Sequence, residues 1–360
     1  MGLHELRVRN FRSFGEFQFS PDPDAVTVLL SPNGTGKTSV LEAVYALATA
    51  SSFRASSASD MIRTNQNVAE VHGTLFHQRR RVTIDLTLTR GLRNTTKRML
   101  VNGQRPLTRT ALAEALPITV FTPEGVDVVR QGPENRRHFL TNLMTDVDPP
   151  ASEAVERFSR ILGQRNALLR ALQGSGPSAS QRDELNVWSA DLATAGERLV
   201  VLRVGVLRQL EPLVSKYYQD LAQNSQDVGV AYEQSWSHNL VDALAQTLEH
   251  DRHRGYTTVG PHRDDIALTL DGRDARHQSS QGEQRTLALA LRLAGHELVQ
   301  RLRGVDPLLL LDDVFSELDP ARSDRLLQLL PTGQTLVTTA SPLPTGMRPA
   351  ITIDLTVAPR

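Results

Sequence analysis

The chain has 360 residues, enough for one large or two modest domains, and its 39% hydrophobic and 22% charged residues are ordinary for a soluble globular protein. It contains no cysteine, which excludes disulfides, zinc–thiolate sites and iron–sulfur clusters and agrees with a cytoplasmic location, and no apolar run approaches the roughly 18 residues of a membrane span. Lysine plus arginine equals aspartate plus glutamate at 40 each, so a surface that binds nucleic acid has to be a local basic patch.

The first predicted elements are strands that lead into a helix. Residues 3–11 alternate apolar and polar side chains, as a half-buried strand does. Residues 26–30 form a continuous β-branched and apolar run, typical of a central strand that is covered on both faces. Residues 38–50 then favour a helix with apolar side chains on one face. We therefore expect strand, loop and helix in direct succession.

The loop between that strand and that helix has the composition of a phosphate-binding loop. Residues 31–38 match the pattern G-x-x-x-x-G-K-[ST] except at the first position, where Ser31 replaces glycine. Backbone amides of such a loop surround phosphate oxygens, and the helix N-terminus adds a partial positive charge. We expect Lys37 to reach the terminal phosphates of ATP and to act in catalysis, and the Thr38 hydroxyl to bind Mg²⁺. The expected ATP contacts are Ser31, Pro32, Asn33, Gly34, Thr35, Gly36, Lys37, Thr38 and Ser39.

The character of the chain changes after about residue 123. Residues 68–101 and 118–121 are strand-like, whereas residues 133–223 carry apolar side chains at helical spacing. Strand patterns return at 228–232 and 266–270, and a long helix is predicted over 282–303. We expect one α/β head built from residues 1–125 and 225–360, with residues 126–224 inserted as a helical lobe.

A second nucleotide motif lies far along the chain. The apolar strand 308–311 ends in Asp312 and Asp313. We expect Asp312 to bind Mg²⁺, directly or through water, and Asp313 to orient or deprotonate the attacking water. Thr338 or Thr339 ends a later strand, where either is a candidate neighbour of the γ-phosphate. A strand capped by acids is common by itself, but its pairing with the phosphate loop favours a nucleotide site.

A third motif precedes the long helix. Residues 280–284 combine a serine, a glycine and a predicted helix N-terminus, which together form an anion site. Ser280 and Glu283 also fit an ordinary capping box, and the two interpretations are compatible. In this order the motifs resemble those of ABC-type ATPases, and Asp319 falls in the segment that matches their D-loop. The ATP contacts expected from these motifs are Ser280, Gln281, Gly282, Glu283, Gln284 and Asp319.

One chain carries one copy of each motif. In ABC-type ATPases the signature of one subunit closes over the ATP that another subunit holds. Two chains related by a two-fold axis would then form two composite sites. We therefore expect ATP-dependent homodimerisation.

The chain as a whole resembles the RecF family, which comprises bacterial ATPases of recombination and replication repair related to the structural-maintenance-of-chromosomes (SMC) proteins. The resemblance covers nearly the whole chain and depends on the order and spacing of many short motifs. These motifs are residues 6–13 (LRVRNFRS), 32–38 (PNGTGKT), 52–54 (SFR), 101–103 (VNG), 121–124 (FTPE), 132–133 (GP) with 136–137 (RR), 164–166 (QRN), 260–265 (GPHRDD), 280–284 (SQGEQ) and 312–319 (DDVFSELD).

The resemblance implies an ABC-type, SMC-like P-loop ATPase head with a helical lobe inserted between the Walker A and Walker B motifs. It implies that ATP binding drives dimerisation on DNA, that weak DNA-dependent hydrolysis resets the protein, and that the protein helps to load recombinase at single-strand gaps with RecO and RecR. The implied partners are single-stranded DNA, double-stranded DNA and gapped junctions, and no membrane. Asp313 agrees with this family, whereas the wider ABC class usually has glutamate there, and its shorter side chain suggests slow turnover.

Further residues are assigned by position. Gln66 precedes the strand 68–76, where an SMC-type Q-loop glutamine would touch Mg²⁺ or the attacking water. Arg7, Arg9 and Arg12 alternate along the first strand and could neutralise DNA phosphates, although a solvated surface arginine is the commoner case. The expected DNA contacts are Arg54, Arg63, Arg79, Arg80 and Arg81.

Three other classes of protein share part of this pattern. An ABC transporter ATPase subunit has the same motifs, but its helical subdomain is much shorter than the insert predicted here. A non-catalytic DNA clamp that uses ATP only as a dimer switch is disfavoured by Asp312 and Asp313. A nuclease of the overcoming-lysogenization type is disfavoured because the sequence has no second cluster of metal-binding carboxylates.

Overall fold

The computed structural model describes residues 2–55, 57–77, 80–106, 116–173, 178–340 and 342–356. Among them, no helix is long and apolar enough to cross a membrane. The strands are β1 Gly2–Phe11, β2 Phe14–Phe19, β3 Val26–Leu30, β4 Val68–His77, β5 Arg80–Arg90, β6 Thr95–Val101, β7 Ile118–Phe121, β8 Val228–Glu233, β9 Asp265–Leu270, β10 Arg273–Asp274, β11 Leu308–Asp312, β12 Thr335–Thr339 and β13 Ile351–Asp354. The α-helices are Lys37–Thr49, Asp127–Arg130, Pro133–Val147, Ala151–Ala171, Ala179–Ala222, Leu240–Gln246, Leu248–Arg254, Ala275–Gln278, Gln281–Arg303 and Pro320–Leu329, and 3₁₀ turns cover Ala58–Met61, Pro123–Val126 and Val314–Glu317.

The chain divides into two compact units. Unit 1 contains Met1–Gly125, Asp220–Gln223 and Arg292–Arg360, and unit 2 contains Val126–Gln219 and Asn224–Leu291. The first segment of unit 1 ends at Gly125, and the division into an ATPase head and a helical lobe stays a prediction. The second boundary lies elsewhere than expected: residues 225–291 are in unit 2 with the helical region, and residues 220–223 are in unit 1. The physical reason is that β8, β9 and β10 hydrogen-bond to one another in a sheet of their own.

Unit 1 contains a five-stranded parallel sheet in the order β13-β3-β12-β11-β7. Its strands β11 and β12 are buried at every residue, which agrees with their unbroken apolar and β-branched sequences. A second, antiparallel sheet has the order β2-β1-β4-β5-β6. This sheet alternates buried and accessible side chains along β5, as a sheet with one covered face does.

The helix Lys37–Thr49 is buried in the core of unit 1 over most of its surface. Buried side chains include Val40, Leu41, Val44 and Leu47, and they share one hydrophobic cluster with residues of both sheets. Apart from Glu42, the sequence from Val40 to Ala48 is apolar or aromatic, which explains how the helix packs against two sheets at once. The phosphate-binding loop is therefore fixed at its helical end by core packing.

Unit 2 is organised by helices and by buried polar groups. The helix Ala179–Ala222 runs for 44 residues with Pro212 inside it. Arg165 is fully buried and donates to Asp251 Oδ2 at 2.8 Å and to Thr257 Oγ1 at 2.6 Å. Asn166 Oδ1 accepts from the backbone N–H of Thr257 at 2.8 Å. The Gln-Arg-Asn motif at 164–166 is thus a packing motif that joins a helix to the loop after residue 254.

The 260–265 motif has the same kind of function in unit 2. Arg136 forms a bidentate pair with Asp265 at 2.7 and 2.8 Å, which ties the helix Pro133–Val147 to β9. Asp264 Oδ2 accepts from the Tyr232 hydroxyl at 2.6 Å, and burial raises the pKa of this carboxyl. The two acids of the motif therefore join a helix, β8 and β9 into one polar core.

Candidate nucleotide-binding site

The carboxyl ends of three neighbouring parallel strands meet at one edge of the unit 1 sheet. Strand β12 lies between β3 and β11. The Ser31 backbone N–H donates to the Thr339 carbonyl at 3.3 Å, and the Asp313 N–H donates to the Thr338 carbonyl at 3.1 Å. The phosphate-binding loop, the end of β12 and the paired acids are consequently side by side. Ligands of open α/β sheets bind at such an edge.

The loop 31–36 has the backbone conformation that its glycines predict. Gly34 and Gly36 have φ of 81° and 102°, values that favour glycine. A Cβ on Gly36 would lie 2.6 Å from Ser13 Oγ and 2.9 Å from the Phe14 ring, so this position also lacks space for a side chain. The Thr35 hydroxyl donates to the Pro32 carbonyl at 2.7 Å and closes the turn.

Ser31 fits the first position of the loop without strain. It does not have a positive φ, so the position does not demand glycine. The residue is buried at 3% exposure, and its Oγ has no hydrogen-bond partner among the described residues. The departure from glycine is thus tolerated by the backbone, and it adds a buried hydroxyl at the base of the loop.

Lys37 is held within the loop by three oxygen atoms. Its Nζ donates to the carbonyls of Ser31 at 2.5 Å and Pro32 at 2.9 Å, and to Asn33 Oδ1 at 3.3 Å. Burial lowers the pKa of Lys37, while the charges of Asp313 and Asp312 act in the opposite direction. The ammonium group and the two acids are therefore near enough to interact.

Asp312 accepts two hydrogen bonds on one carboxylate oxygen. Thr38 Oγ1 donates to Asp312 Oδ1 at 2.8 Å, and Thr338 Oγ1 donates to the same atom at 2.7 Å. Burial raises the pKa of Asp312, and the two hydroxyl donors oppose that shift. A hydroxyl and a carboxylate at this distance are the oxygen ligands that Mg²⁺ takes in nucleotide sites, so the residues present fit the ion.

Asp313 directly follows Asp312 and has unusual local geometry. Its φ is 50°, a left-handed conformation that is uncommon for a residue other than glycine. Its N–H donates to both the carbonyl and the hydroxyl of Thr338, each at 3.1 Å. Its Oδ1 is buried and has no hydrogen-bond partner among the described residues. The backbone is thus fixed while one carboxylate oxygen is left with accepting capacity.

The 280–284 motif lies in unit 2 and forms the expected helix start. The Ser280 N–H donates to Glu283 Oε2 at 2.7 Å, and the Glu283 N–H donates to Ser280 Oγ at 3.3 Å, which is a capping box. The hydrogen bond from the Ser280 N–H is the main reason why the pKa of Glu283 is lowered. Gln284 is buried, and its amide donates to the carbonyls of Ala275 and Arg276 at 3.0 and 2.9 Å. Gln281 and Gly282 form the first turn of the helix Gln281–Arg303.

Asp319 caps a different helix. It precedes Pro320–Leu329, and its Oδ1 accepts from the Arg322 N–H at 3.0 Å. That backbone hydrogen bond is the main reason why the pKa of Asp319 is lowered. Ser316 Oγ donates to the Asp313 carbonyl at 2.8 Å, so the segment between the acids and this helix is folded back on itself.

Gln66 lies in an exposed turn, and its backbone N–H donates to the Arg63 carbonyl at 3.0 Å. With Asp60, Asn67 and Arg90 it lines an open polar cavity of about 490 Å³. Within the described residues, Gln66 makes no hydrogen bond to Thr38 or Asp312, so its expected Q-loop function remains a prediction.

The arginines singled out from the sequence have different surroundings. Arg54 is exposed, and its charge lowers the pKa of Asp312, so it acts on the nucleotide end of unit 1. The Arg63 N–H donates to the Asn10 carbonyl at 2.8 Å. Arg80 and Arg81 are exposed at the start of β5, and Arg79 lies outside the described residues.

Two residues that affect the nucleotide site or the helix after the phosphate loop were not identified from the sequence. Glu124 lies in the 3₁₀ turn after β7, the strand next to β11, and its charge raises the pKa of Asp312. Arg12 forms a bidentate pair with Glu42 at 2.7 and 2.5 Å, and Glu42 is fully buried in the helix after the phosphate loop. The acid that directly follows a short strand was the available signal for Glu124. A glutamate inside an otherwise apolar helix was the signal for Glu42.

Comparisons with known proteins agree on one family. The sequence profile of the RecF/RecN/SMC N-terminal domain matches residues 2–342. The chain is 38% identical over 341 residues to the DNA replication and repair protein RecF of Geobacter sulfurreducens, covering 92% of this chain and 90% of that protein. It is 33% identical over 354 residues to the protein of the same name from Streptomyces avermitilis, covering 95% and 94%.

Solved structures give the same result. The recombination mediator protein RecF with ATP, in the RecFOR pathway, aligns with a TM-score of 0.88 and 26% identity over 99% of this chain and 96% of that one. An SMC head bound to the C-terminal winged-helix domain of ScpA aligns with a TM-score of 0.53 at 15% identity over 95% and 90%, which shows a shared fold. The fold is thus the expected ABC-type, SMC-like ATPase fold, and the chain belongs to the RecF family of DNA replication and repair proteins.

Proposed function

We propose that this chain is an ATP-dependent DNA-binding protein of recombinational repair and replication restart, and that it is a weak, DNA-dependent ATPase. One observation gives the strongest support to the binding of ATP and Mg²⁺. Thr38 and Asp312, from the two ends of the sequence, share a hydrogen bond of 2.8 Å at the edge of a parallel sheet. The solved RecF structures that align with this chain are described as complexes with ATP or an ATP analogue.

In this proposal, residues 31–39 surround the phosphates of ATP, and Lys37 exchanges the loop carbonyls for the terminal phosphates. Thr38 and Asp312 would hold Mg²⁺, which when bound screens the phosphate charge and fixes the phosphates in position. Asp313 Oδ1, which has no partner among the described residues, accepts a hydrogen bond from the attacking water. The short side chain on a left-handed backbone limits its reach, which accounts for slow turnover.

The same proposal gives unit 2 the complementary half of the site. Ser280, Gly282 and the N–H groups at the start of Gln281–Arg303 bind the γ-phosphate of ATP held by a second copy, with Asp319 near that contact. ATP thereby drives homodimerisation, and hydrolysis releases the two copies. DNA stays bound while the dimer is closed, at gapped junctions as well as on single and double strands. RecO and RecR are the proposed protein partners, in keeping with the RecFOR pathway named for the related structure.

DNA binding with and without ATP, compared with the Lys37→Arg variant, tests this proposal. We expect Mg²⁺-ATP to tighten binding of the wild-type chain to gapped duplex by about tenfold or more, and to leave the variant unchanged, because a guanidinium does not fit the three-oxygen pocket of Lys37. Equal affinity with and without ATP for the wild-type chain would contradict the proposal. Single-turnover hydrolysis by the wild-type chain separates an ATPase from a clamp that only binds ATP.

A further inference from the structure

The outer face of the antiparallel sheet in unit 1 has an uneven charge distribution. Strand register puts Arg7 opposite His72 and Arg9 opposite Glu70 on this face. Arg7 pairs with Glu5 at 2.7 Å, and Arg9 lies 3.8 Å from both Glu16 and Glu70. The β1 side of the face is therefore close to neutral, and its arginines have carboxylate partners.

The other side of the same sheet consists of the two-stranded ribbon β5–β6, with β6 at the sheet edge. Between residues 80 and 105 the sequence has seven basic residues and one acid, Asp85. Asp85 is engaged by His72 at 2.6 Å. In the part of the chain that the structure describes, Arg81, Arg93 and Arg98 form no ion pair. The strand register puts Arg81 and Arg98 on the outer face, whereas Arg80, Arg90 and Lys97 are on the side of the buried residues. The excess positive charge of the outer face therefore comes from Arg81 and Arg98, with Arg93 at the tip.

Side-chain direction along the ribbon separates a core face from an outer face. Ile84, Leu86, Leu88 and Met99 are buried against the core. The strand register places Arg98 opposite Thr87. Each of the two is next to a buried residue along its strand, so both belong to the outer face. The remaining hydroxyls of this outer face are those of Thr83, Thr89 and Thr96. Arginines interspersed with hydroxyl donors are the composition of a surface that contacts phosphates.

The tip of the ribbon is a tight turn over residues 91–94. The Gly91 N–H donates to the Asn94 carbonyl at 3.1 Å. Leu92 at this tip is fully exposed, at 108% of its reference area, and Arg93 beside it is exposed. A single exposed leucine is ordinary on a protein surface, but this one lies at the tip of the β5–β6 hairpin, next to the exposed Arg93. Because β5 is paired with β4 from Arg80 to Thr89, only the turn 91–94 extends past the paired strands. The major groove of B-DNA is about 12 Å wide and has room for such a turn.

We propose that the β5–β6 ribbon is a duplex-DNA-binding element of this chain, with Arg93 and Arg98 on phosphates and Leu92 directed into a groove. The assignment rests on the proposed function in one respect, namely that DNA is the partner. The ribbon assignment adds to the proposed function the surface that contacts DNA. It also separates the arginines of the ribbon from those of β1, which are paired with acids. Binding through phosphates makes the contact independent of sequence and sensitive to salt.

Fluorescence anisotropy with a labelled 30-base-pair duplex and Mg²⁺-ATP, between 50 and 300 mM salt, tests the ribbon. The double variant Arg93→Ala, Arg98→Ala should bind about tenfold more weakly at low salt, and its salt slope should fall by about 1.8 because two phosphate contacts are lost. Leu92→Ala should weaken binding while the salt slope is unchanged. The matched control is Arg7→Ala, Arg9→Ala on the same face, which should bind as the wild-type chain does.

The outcomes separate the ribbon from the wider proposal. All of these positions are exposed, and circular dichroism melts check that the variants are folded. If the wild-type chain binds duplex DNA and the ribbon variant keeps the same affinity and salt slope, the ribbon assignment is wrong and the proposed function stands. If the wild-type chain with ATP does not bind duplex DNA, both are wrong. ATP-driven change in mass, measured without DNA, should be the same in all four proteins.

Discussion

At the scale of single residues, the nucleotide site shows which predictions a sequence permits. Lys37, Thr38 and Asp312 were predicted because strand, loop and helix patterns are local, and the structure brings Thr38 and Asp312 together as the motif order implied. The buried partner of Arg12 was not predicted, because a pairing between residues 12 and 42 depends on how a sheet packs on a helix. Arg54 was interpreted as a DNA contact, but its effect on Asp312 is visible only once the loop is folded.

His262 is a second residue whose surroundings the sequence did not reveal. Its Nε2 lies 3.0 Å from the Thr257 carbonyl, so the neutral ring donates from that nitrogen. Its Nδ1 is buried without a hydrogen-bond partner among the described residues. Burial lowers the pKa of His262 to about 4, since a second proton on the ring would have no acceptor. The histidine is therefore a packing group of unit 2 that must stay neutral.

This arrangement predicts acid sensitivity of folding. The pKa in the folded protein is about 4 and the ordinary value is 6.5, so the stabilisation is complete above pH 6.5 and is lost as the pH falls towards 4. At pH 5 the loss is about 2 kcal/mol. His262→Gln, which keeps a donor but cannot be charged, should show a smaller fall in thermal midpoint between pH 8 and pH 5 than the wild-type chain. An identical fall in both proteins would contradict the assignment.

At the scale of elements, the start of the helix Gln281–Arg303 is linked to the long helix Ala179–Ala222. The Tyr218 hydroxyl donates to Gln226 Oε1 at 2.9 Å. The Gln226 amide donates to Glu283 Oε1 at 3.2 Å and to Asp271 Oδ2 at 3.3 Å. Gln226 is thus a connection between one helix and the capping box at Ser280, and all of these groups belong to unit 2.

Removing this connection should affect dimerisation more than ATP binding. Gln226→Ala leaves the Glu283 carboxylate with one donor fewer, so the proposed contact from Ser280 to a second copy should weaken by about tenfold, or about 1.4 kcal/mol. Gln209→Ala is the control, because Gln209 is exposed on the same helix and, among the described residues, its side chain bonds only to the Gly205 carbonyl, at 3.3 Å. Sedimentation with Mg²⁺-ATP measures the dimer, and a fluorescent ATP analogue measures nucleotide binding. Equal loss of both in Gln226→Ala would show general destabilisation instead.

The elements themselves were largely predictable, and their grouping was not. Residues 26–30 and 308–311 were identified as buried strands because their apolar runs are unbroken, and the capping box was visible from Ser280 and Glu283. Residues 225–291 were assigned to the head from the sequence, whereas they are in unit 2 of the structure. Short strands such as β8 and β9 have the same pattern whichever sheet they join, so only their hydrogen-bond partners decide.

At the scale of the whole molecule, each chain has one phosphate-binding loop, in unit 1, and one capped helix start at Ser280, in unit 2. The proposal that ATP connects two copies follows from this single set of motifs, together with membership of the RecF family. ATP in this account acts as a dimerisation signal on DNA, and slow hydrolysis ends the signal. Ser31 does not obstruct this function, because the loop has its glycine conformations at Gly34 and Gly36.

The mass of the chain in solution with ATP is the most direct test. In Asp313→Asn, which should bind ATP without hydrolysing it, saturating Mg²⁺-ATP should convert the protein to a stable dimer by light scattering. Adding Ser280→Arg should abolish the dimer while ATP still binds. Asn239→Arg is the matched control, because Asn239 also caps a helix of unit 2, accepting from the Asp242 N–H at 2.8 Å, and its loss should leave the dimer intact. An Asp313→Asn protein whose mass is the same with and without ATP, or a dimer that survives Ser280→Arg, would contradict the account.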